Sequence, residues 1–169
     1  MKKLLLVFLI LMVVGMGSVF AEEAKAEKES FIRPTFGIGY ASVTNTKEKD
    51  AKAETSTSWM FGIDFIHQTG LTIGTRQFTY EMKQQGQSGT MAFTFSNFGI
   101  GYTYAAESFC VGGKAVFMPV MLLEGLPFGV NIDGSFWVAE NLGLTVMFDM
   151  YFPKDHSIWA LGLGLSFKH

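Results

Sequence analysis

The end of the chain alternates between apolar and small or polar residues. In residues 158–169 the apolar positions are Trp159, Leu161, Leu163, Leu165 and Phe167, and the intervening ones are Ala160, Gly162, Gly164, Ser166 and Lys168. Successive side chains of a β-strand point to opposite faces, so a strand of this composition has one apolar face. The pattern requires a sheet in which this strand meets an apolar medium on one side only.

The same two-residue period recurs along the chain and predicts eight strands in total. The seven earlier strands are predicted at Phe31–Val43, Ser58–His67, Leu71–Met82, Thr90–Tyr104, Ser108 to about Leu122, from Phe128 onward, and Leu142–Phe152. Changes of parity predict a β-bulge near Gln77 and a shift at Ser96-Asn97. The facing of strand five stays open between Gly112 and Pro119, because proline lacks a ladder donor.

The first residues are typical of an export signal. Lys2 and Lys3 precede an unbroken apolar stretch from Leu4 to Val14, and the small residue Ala21 follows at a cleavage position, which predicts a cleaved signal peptide over residues 1–21. The alternative, a retained anchor, needs an apolar run of roughly 20 residues, and this one is shorter. Residues 22–30 are charged and predict a short flexible leader, which leaves residues 31–169 as one domain.

Composition narrows the class of protein. Without the signal peptide the net charge is about −4, which argues against nucleic acid as a partner. Cys110 is the only cysteine, so no internal disulfide can form, and closure of the sheet must hold the fold together. The absence of a second long apolar run in an exported, apolar, Gly-rich chain favours β-structure.

The predicted connections are short after strands two, four and six, and longer after the others. This asymmetry is typical of an up-and-down transmembrane barrel with short periplasmic turns, and it would place both termini in the periplasm. The competing interpretation is a secreted lipocalin-like barrel with its apolar faces inside. Its interior would have to hold large residues such as Trp59, Phe61 and Phe65, which exceeds what eight strands enclose.

Aromatic residues are expected in two girdles at the membrane interfaces. Those expected near the external rim are Tyr40, Trp59, Tyr80, Phe128, Phe152 and Trp159. Those expected near the periplasmic rim are Phe31, Tyr102, Tyr104, Phe109, Phe136 and Phe167.

With this architecture the chain resembles the small eight-stranded outer-membrane proteins of the OmpA-domain, OmpX and OmpW type. The most specific match is to their C-terminal assembly signal, at Gly162, Leu165 and Phe167. Ala160 departs from the usual polar residue, and Lys168-His169 extend past the aromatic residue. The resemblance implies outer-membrane lipid and the barrel-assembly machinery as partners.

The inward-facing parity collects charged residues of both signs. These residues are Arg33, Asp64, Arg76, Asp133 and Asp149, with Lys114 as a candidate. Buried charges must pair, so we expect a salt-bridge network that plugs the lumen. An ion path is the alternative, but an eight-stranded barrel has room only for side chains.

No residue pattern predicts catalysis, a metal site or a cofactor. Asp155-His156-Ser157 lacks the spacing of the lipid A deacylases known on this scaffold, and is expected to be a polar turn. A polar loop over residues 44–57 is expected to face outside, with an unidentified extracellular ligand as its possible partner. Its charged residues are Lys47, Glu48, Lys49, Asp50, Lys52 and Glu54.

The function that we expect is a non-catalytic outer-membrane barrel with a structural or surface-interaction role. The alternative is an OmpW-like passive channel for small apolar solutes. A lipid A-modifying enzyme and a secreted lipocalin-like binder are the less favoured hypotheses.

Overall fold

The chain folds into a closed antiparallel barrel of eight strands. The computed structural model describes residues 29–47, 53–83, 90–119, 128–152 and 155–169. The strands are β1 (Phe31–Asn45), β2 (Glu54–Ile66), β3 (Leu71–Lys83), β4 (Thr90–Ala105), β5 (Phe109–Phe117), β6 (Phe128–Ala139), β7 (Leu142–Tyr151) and β8 (His156–Phe167). Each strand pairs with the next, and β8 pairs with β1, which confirms the predicted all-β, up-and-down architecture. The predicted signal peptide and most of the leader lie outside the described residues.

Short and long connections lie at opposite ends of the barrel. We call the end with connections 67–70, 106–108 and 140–141 the turn end, and the opposite end the loop end. Gly70 closes the first turn with a φ of +88°, and its amide donates to the carbonyl of His67. A Cβ at this position would lie 2.6 Å from Cε2 of Tyr102, so the turn requires glycine for both backbone and packing reasons.

Several strand boundaries differ from the prediction, and the differences at β1, β2 and β5 have a clear physical reason. β5 ends at Phe117 rather than near Leu122, because Pro119 cannot donate to a ladder. β1 extends to Asn45 and β2 begins at Glu54, so the polar loop is shorter than residues 44–57. β2 begins early because Glu54 pairs with Val43, and β1 continues to Asn45 because Thr44 and Asn45 pair with Ser157 and His156 of β8.

The two predicted parity irregularities were wrong. β3 and β4 stay in continuous register past Gln77 and Ser96, so neither strand changes face there. Instead, Phe78 and Tyr80 point into the lumen and are buried. The prediction assumed a polar lumen along its whole length, whereas the lumen near the loop end is apolar. The register shift that does occur lies between Trp137 and Ala139, at the end of the β6–β7 ladder.

The outward faces of the strands are apolar and exposed, and the inward faces are buried. Leu163 is 65% exposed and Ile38 is 54% exposed, whereas Arg33 and Arg76 are fully buried. This arrangement is the reverse of a lipocalin-like barrel, whose apolar faces would point inward. Of the aromatic residues predicted for the girdles, Tyr40, Trp59, Phe109, Phe128, Phe136, Phe152 and Phe167 are exposed, whereas Tyr104 is buried beside Phe109. Phe31 and Tyr80 were wrongly placed in the girdles, because both are buried in the lumen.

Across the described ranges, no helix has both the length and the apolar character needed to cross a membrane.

Candidate functional site in the barrel lumen

The lumen contains three layers of side chains. A charged network fills the middle, with an apolar cluster on either side of it. The network consists of Arg33, Asp64, Arg76, Lys114, Asp133 and Asp149, all of which are nearly or fully buried. It includes every residue that the sequence analysis assigned to the lumen, together with the candidate Lys114.

Arg33 organises the half of the network nearer the turn end. Its Nη2 donates to Asp64 Oδ2 at 2.7 Å and also forms an ion pair with Asp133. Its Nη1 lies 3.1 Å from the sulfur of Cys110. Arg33 and Asp64 are directly opposed in the β1–β2 ladder, so their pairing follows from strand register. A second cation reaches Asp64 from β5, where Lys114 forms an ion pair with Oδ1.

Arg76 organises the other half of the network. Its Nη2 donates to Asp133 Oδ2 at 2.6 Å, and its Nη1 donates to Asp149 Oδ1 at 2.7 Å. Asp133 therefore bridges both arginines. Asn131 donates to the same Asp149 oxygen at 2.8 Å, which adds a neutral hydrogen bond to the charged pair.

The charges of the network balance. The network has three cations and three carboxylates, and each of the six residues comes from a different strand. The cations are Arg33, Arg76 and Lys114, and the carboxylates are those of Asp64, Asp133 and Asp149. A buried charge that loses its partner carries a large desolvation penalty, so each member depends on the others. The orientation of Lys114, which the sequence left open, is explained by register, since it pairs with the inward-facing Asn131.

The loop-end cluster is apolar. It consists of Ala41, Met60, Phe78, Tyr80, Val116, Met118, Met147, Tyr151, Ile158 and Ala160. Phe78 stacks on Phe95 and on Tyr151, with ring centroids 5.0 and 5.4 Å apart. The sequence analysis missed this cluster. The available signal was that Phe78, Tyr80 and Phe95 occupy inward-facing positions of β3 and β4. The prediction explained these positions by a β-bulge near Gln77 and a shift at Ser96-Asn97.

Tyr151 connects the loop-end cluster to the charged network. Its ring belongs to the apolar layer, and its hydroxyl accepts hydrogen bonds from the side-chain amides of Asn97 and Asn131 at 2.5 and 3.2 Å. Asn131 also donates to Asp149, so it links Tyr151 of the apolar cluster to a carboxylate of the charged network.

The turn-end cluster closes the other side of the network. It consists of Phe31, Ile66, Cys110 and Trp137, and the rings of Phe31 and Trp137 meet edge to face at 6.5 Å. Lys168, just beyond β8, places its Nζ 5.3 Å from the centroid of the Phe31 ring. Partial burial lowers the pKa of Lys168 below its ordinary value.

The residues of the proposed assembly signal lie on β8. Gly162 faces the lumen, whereas Leu165 and Phe167 are exposed on the outer face. The extension beyond Phe167 is held in place, since the amide and carbonyl of His169 form reciprocal hydrogen bonds with Ile32.

Of the charged loop residues, Lys47 and Glu54 are described, and Glu48, Lys49, Asp50 and Lys52 lie outside the described residues. Lys47 Nζ pairs with Asp155 Oδ2 at 2.8 Å, and Glu54 accepts from the hydroxyl of Tyr80 at 3.3 Å. This ion pair joins the β1–β2 connection to the β7–β8 connection at the loop end.

Comparison with known proteins gives a likeness of architecture. No known protein family matches the sequence, and no curated protein matches it either. The solved structures that it resembles include small eight-stranded outer-membrane barrels, and the chain has their fold.

Two natural proteins and a designed one illustrate the likeness. Neisserial surface protein A superposes with a TM-score of 0.59 at 12% identity, over 82% of this chain and 97% of that one. Ail, the attachment invasion locus protein of Yersinia pestis, gives 0.54 at 10% identity, over 83% and 99%. A de novo designed transmembrane β-barrel gives 0.51 at 12% identity, over 85% and 99%. At these identities the comparison concerns the fold alone.

Proposed function

We propose that this protein is an integral outer-membrane barrel with a sealed lumen and a structural or surface-interaction role that involves no catalysis. The observation that supports the proposal is the exposed apolar exterior around a buried, charge-balanced interior. Unpaired strand edges cannot exist in lipid, and closure of β8 onto β1 satisfies them. Large apolar side chains such as Phe36, Ile38 and Leu163 would be unfavourable in water and are what a lipid environment accepts.

The proposal assigns a direction to the barrel. The turn end would face the periplasm, with both termini there, and the loop end would face outside with the charged residues around Lys47. Gly162, Leu165 and Phe167 would serve as the signal that the barrel-assembly machinery recognises. The three layers of the lumen would block water and ions, because side chains fill an interior of this size.

The test combines insertion and conductance. Protein refolded into phospholipid vesicles is expected to migrate on a gel at different apparent masses before and after boiling, and planar-bilayer recordings should stay flat. A monodisperse, folded monomer in detergent-free buffer would contradict membrane insertion, and steady single-channel steps would contradict the sealed lumen. On intact cells, protease should cut between Lys47 and Lys52.

A second candidate function is a lateral route for small apolar solutes. It is favoured by the apolar loop-end cluster and by the early end of β5, which within the described ranges pairs with β4 only from Phe98 to Ala105. The β4 segment before Phe98 borders the apolar part of the lumen. Slower uptake of an apolar dye by cells that lack the protein would support this route, and unchanged uptake would argue against it.

A further inference from the structure

A groove runs across the outer face of the barrel where one side chain is missing from an apolar row. Val111, Gly134, Val146 and Leu163 are directly paired across β5, β6, β7 and β8. The side chains of this row point outward, and Gly134 contributes none. A Cβ built at Gly134 would find only the carbonyl oxygen of Cys110 within 4 Å, at 3.8 Å. The position therefore opens onto free space.

The groove is open on its outer side and has a volume of about 480 Å³. Its walls are Phe109, Val111, Phe136, Leu144, Val146 and Leu163. Its floor includes residues such as Ser135 and Thr145, whose side chains are buried in the lumen and which contribute backbone. Among the residues that the structure describes, no charged side chain lines it. A ligand for this groove must be apolar and narrow, and it needs no charged headgroup for recognition.

The groove is continuous with the apolar belt, by which we mean the exposed outward faces of the strands, such as those of Phe36, Ile38 and Leu163. Its wall residues Phe136 and Leu163 are 59% and 65% exposed, like the belt residues beside them. A flexible methylene chain is thin enough to enter the gap that the missing side chain of Gly134 leaves. Association in lipid depends on close van der Waals contact rather than on the hydrophobic effect, and aromatic and branched walls around a gap supply such contact.

We propose that this groove binds a single acyl chain of a membrane phospholipid. The proposal rests on the membrane location proposed above. Its row crosses the middle of β6 and β7 and approaches the turn end at β5, where Phe109 is the one outward-facing strand residue before Val111. The bound chain would therefore enter from the leaflet that the turn end faces.

The test uses native mass spectrometry of the full protein released from bilayer discs of mixed phospholipids with identical chains. The wild type is expected to retain one lipid regardless of headgroup, and Gly134→Leu should reduce retention about tenfold. Ala115→Leu is the matched control, because Ala115 is exposed on the same strand as Val111 and lies outside the groove. It should retain lipid as the wild type does.

Other results would overturn either the acyl-chain site or the membrane location. Equal retention by Gly134→Leu and the wild type would overturn the acyl-chain site, as would retention that follows the headgroup. A dimer that disappears in Gly134→Leu would assign the groove to self-association instead. Failure of the wild type to insert into the discs would contradict the membrane location itself, and boiling-dependent gel migration of each variant distinguishes that case. Gly134→Ala adds a Cβ that meets open space, so its lipid retention should lie between that of the wild type and that of Gly134→Leu.

Discussion

Replacement of Arg76 by methionine is expected to lower the free energy of unfolding by about 3–5 kcal/mol, because it leaves buried carboxylates without their partner. Arg76 holds both Asp133 and Asp149, and all three side chains are excluded from solvent. Methionine keeps much of the volume of the side chain and removes its charge. Denaturant unfolding in detergent micelles, followed by tryptophan fluorescence, measures the change.

Two further variants separate the network from charge loss in general. Lys47→Met removes an exposed partner of Asp155 and should change stability by less than about 1 kcal/mol. Adding Asp149→Leu to Arg76→Met should recover a large part of the loss, because the network then has equal numbers of cations and carboxylates again. If Arg76→Met and Lys47→Met prove equally mild, the charged network does not stabilise the barrel.

Replacement of Leu163 by arginine is expected to destabilise the barrel in vesicles by about 2–4 kcal/mol, since it places a charge near the middle of the lipid-facing belt. Leu163 is the most exposed large apolar side chain among the described residues. Val138→Arg is the matched control, because Val138 is 53% exposed next to the last residue of β6, at the turn end. Its cost should be about 0–1 kcal/mol.

The informative quantity is the difference in destabilisation between Leu163→Arg and Val138→Arg. A barrel whose outer face meets water would tolerate arginine equally at both, or would become more soluble with it. Equal unfolding free energies of the two variants in vesicles would therefore argue against a lipid-facing exterior.

Alternation along the sequence was sufficient to predict most of the fold. Each outward residue of β8, from Trp159 to Phe167, follows a strict period of two, and closure follows from the cost of free strand edges. The ends of strands were predicted less well. β2 starts at Glu54 and β1 ends at Asn45 because ladder partners decide where pairing continues, and partners distant in sequence are invisible to a local pattern. β5 stops at Phe117 because of Pro119, whose effect on the strand end was underestimated.

The charged residues of the lumen could be predicted from the sequence, but the apolar clusters beside them could not. Arg33 and Asp149 stand out because a charge on the parity of glycine and threonine has to face inward. Phe78 and Tyr80 could not be assigned in the same way, because an aromatic residue is acceptable both in lipid and in a packed interior. Register decides between the two, since the unbroken β3–β4 ladder leaves Phe78 on the same face as Arg76.

Quenching of tryptophan fluorescence by brominated phospholipids distinguishes an outer face that meets lipid from a lumen that excludes it. Trp59 is 53% exposed on the outer face, whereas Trp137 is 8% exposed in the turn-end cluster. Two proteins that each keep one of these tryptophans, with phenylalanine at the other two tryptophan positions, are reconstituted in vesicles. Trp59 should be quenched strongly and Trp137 weakly, because acyl chains reach only the outer face. Equal quenching of both residues, or no quenching of Trp59, would show that the outer face does not meet lipid.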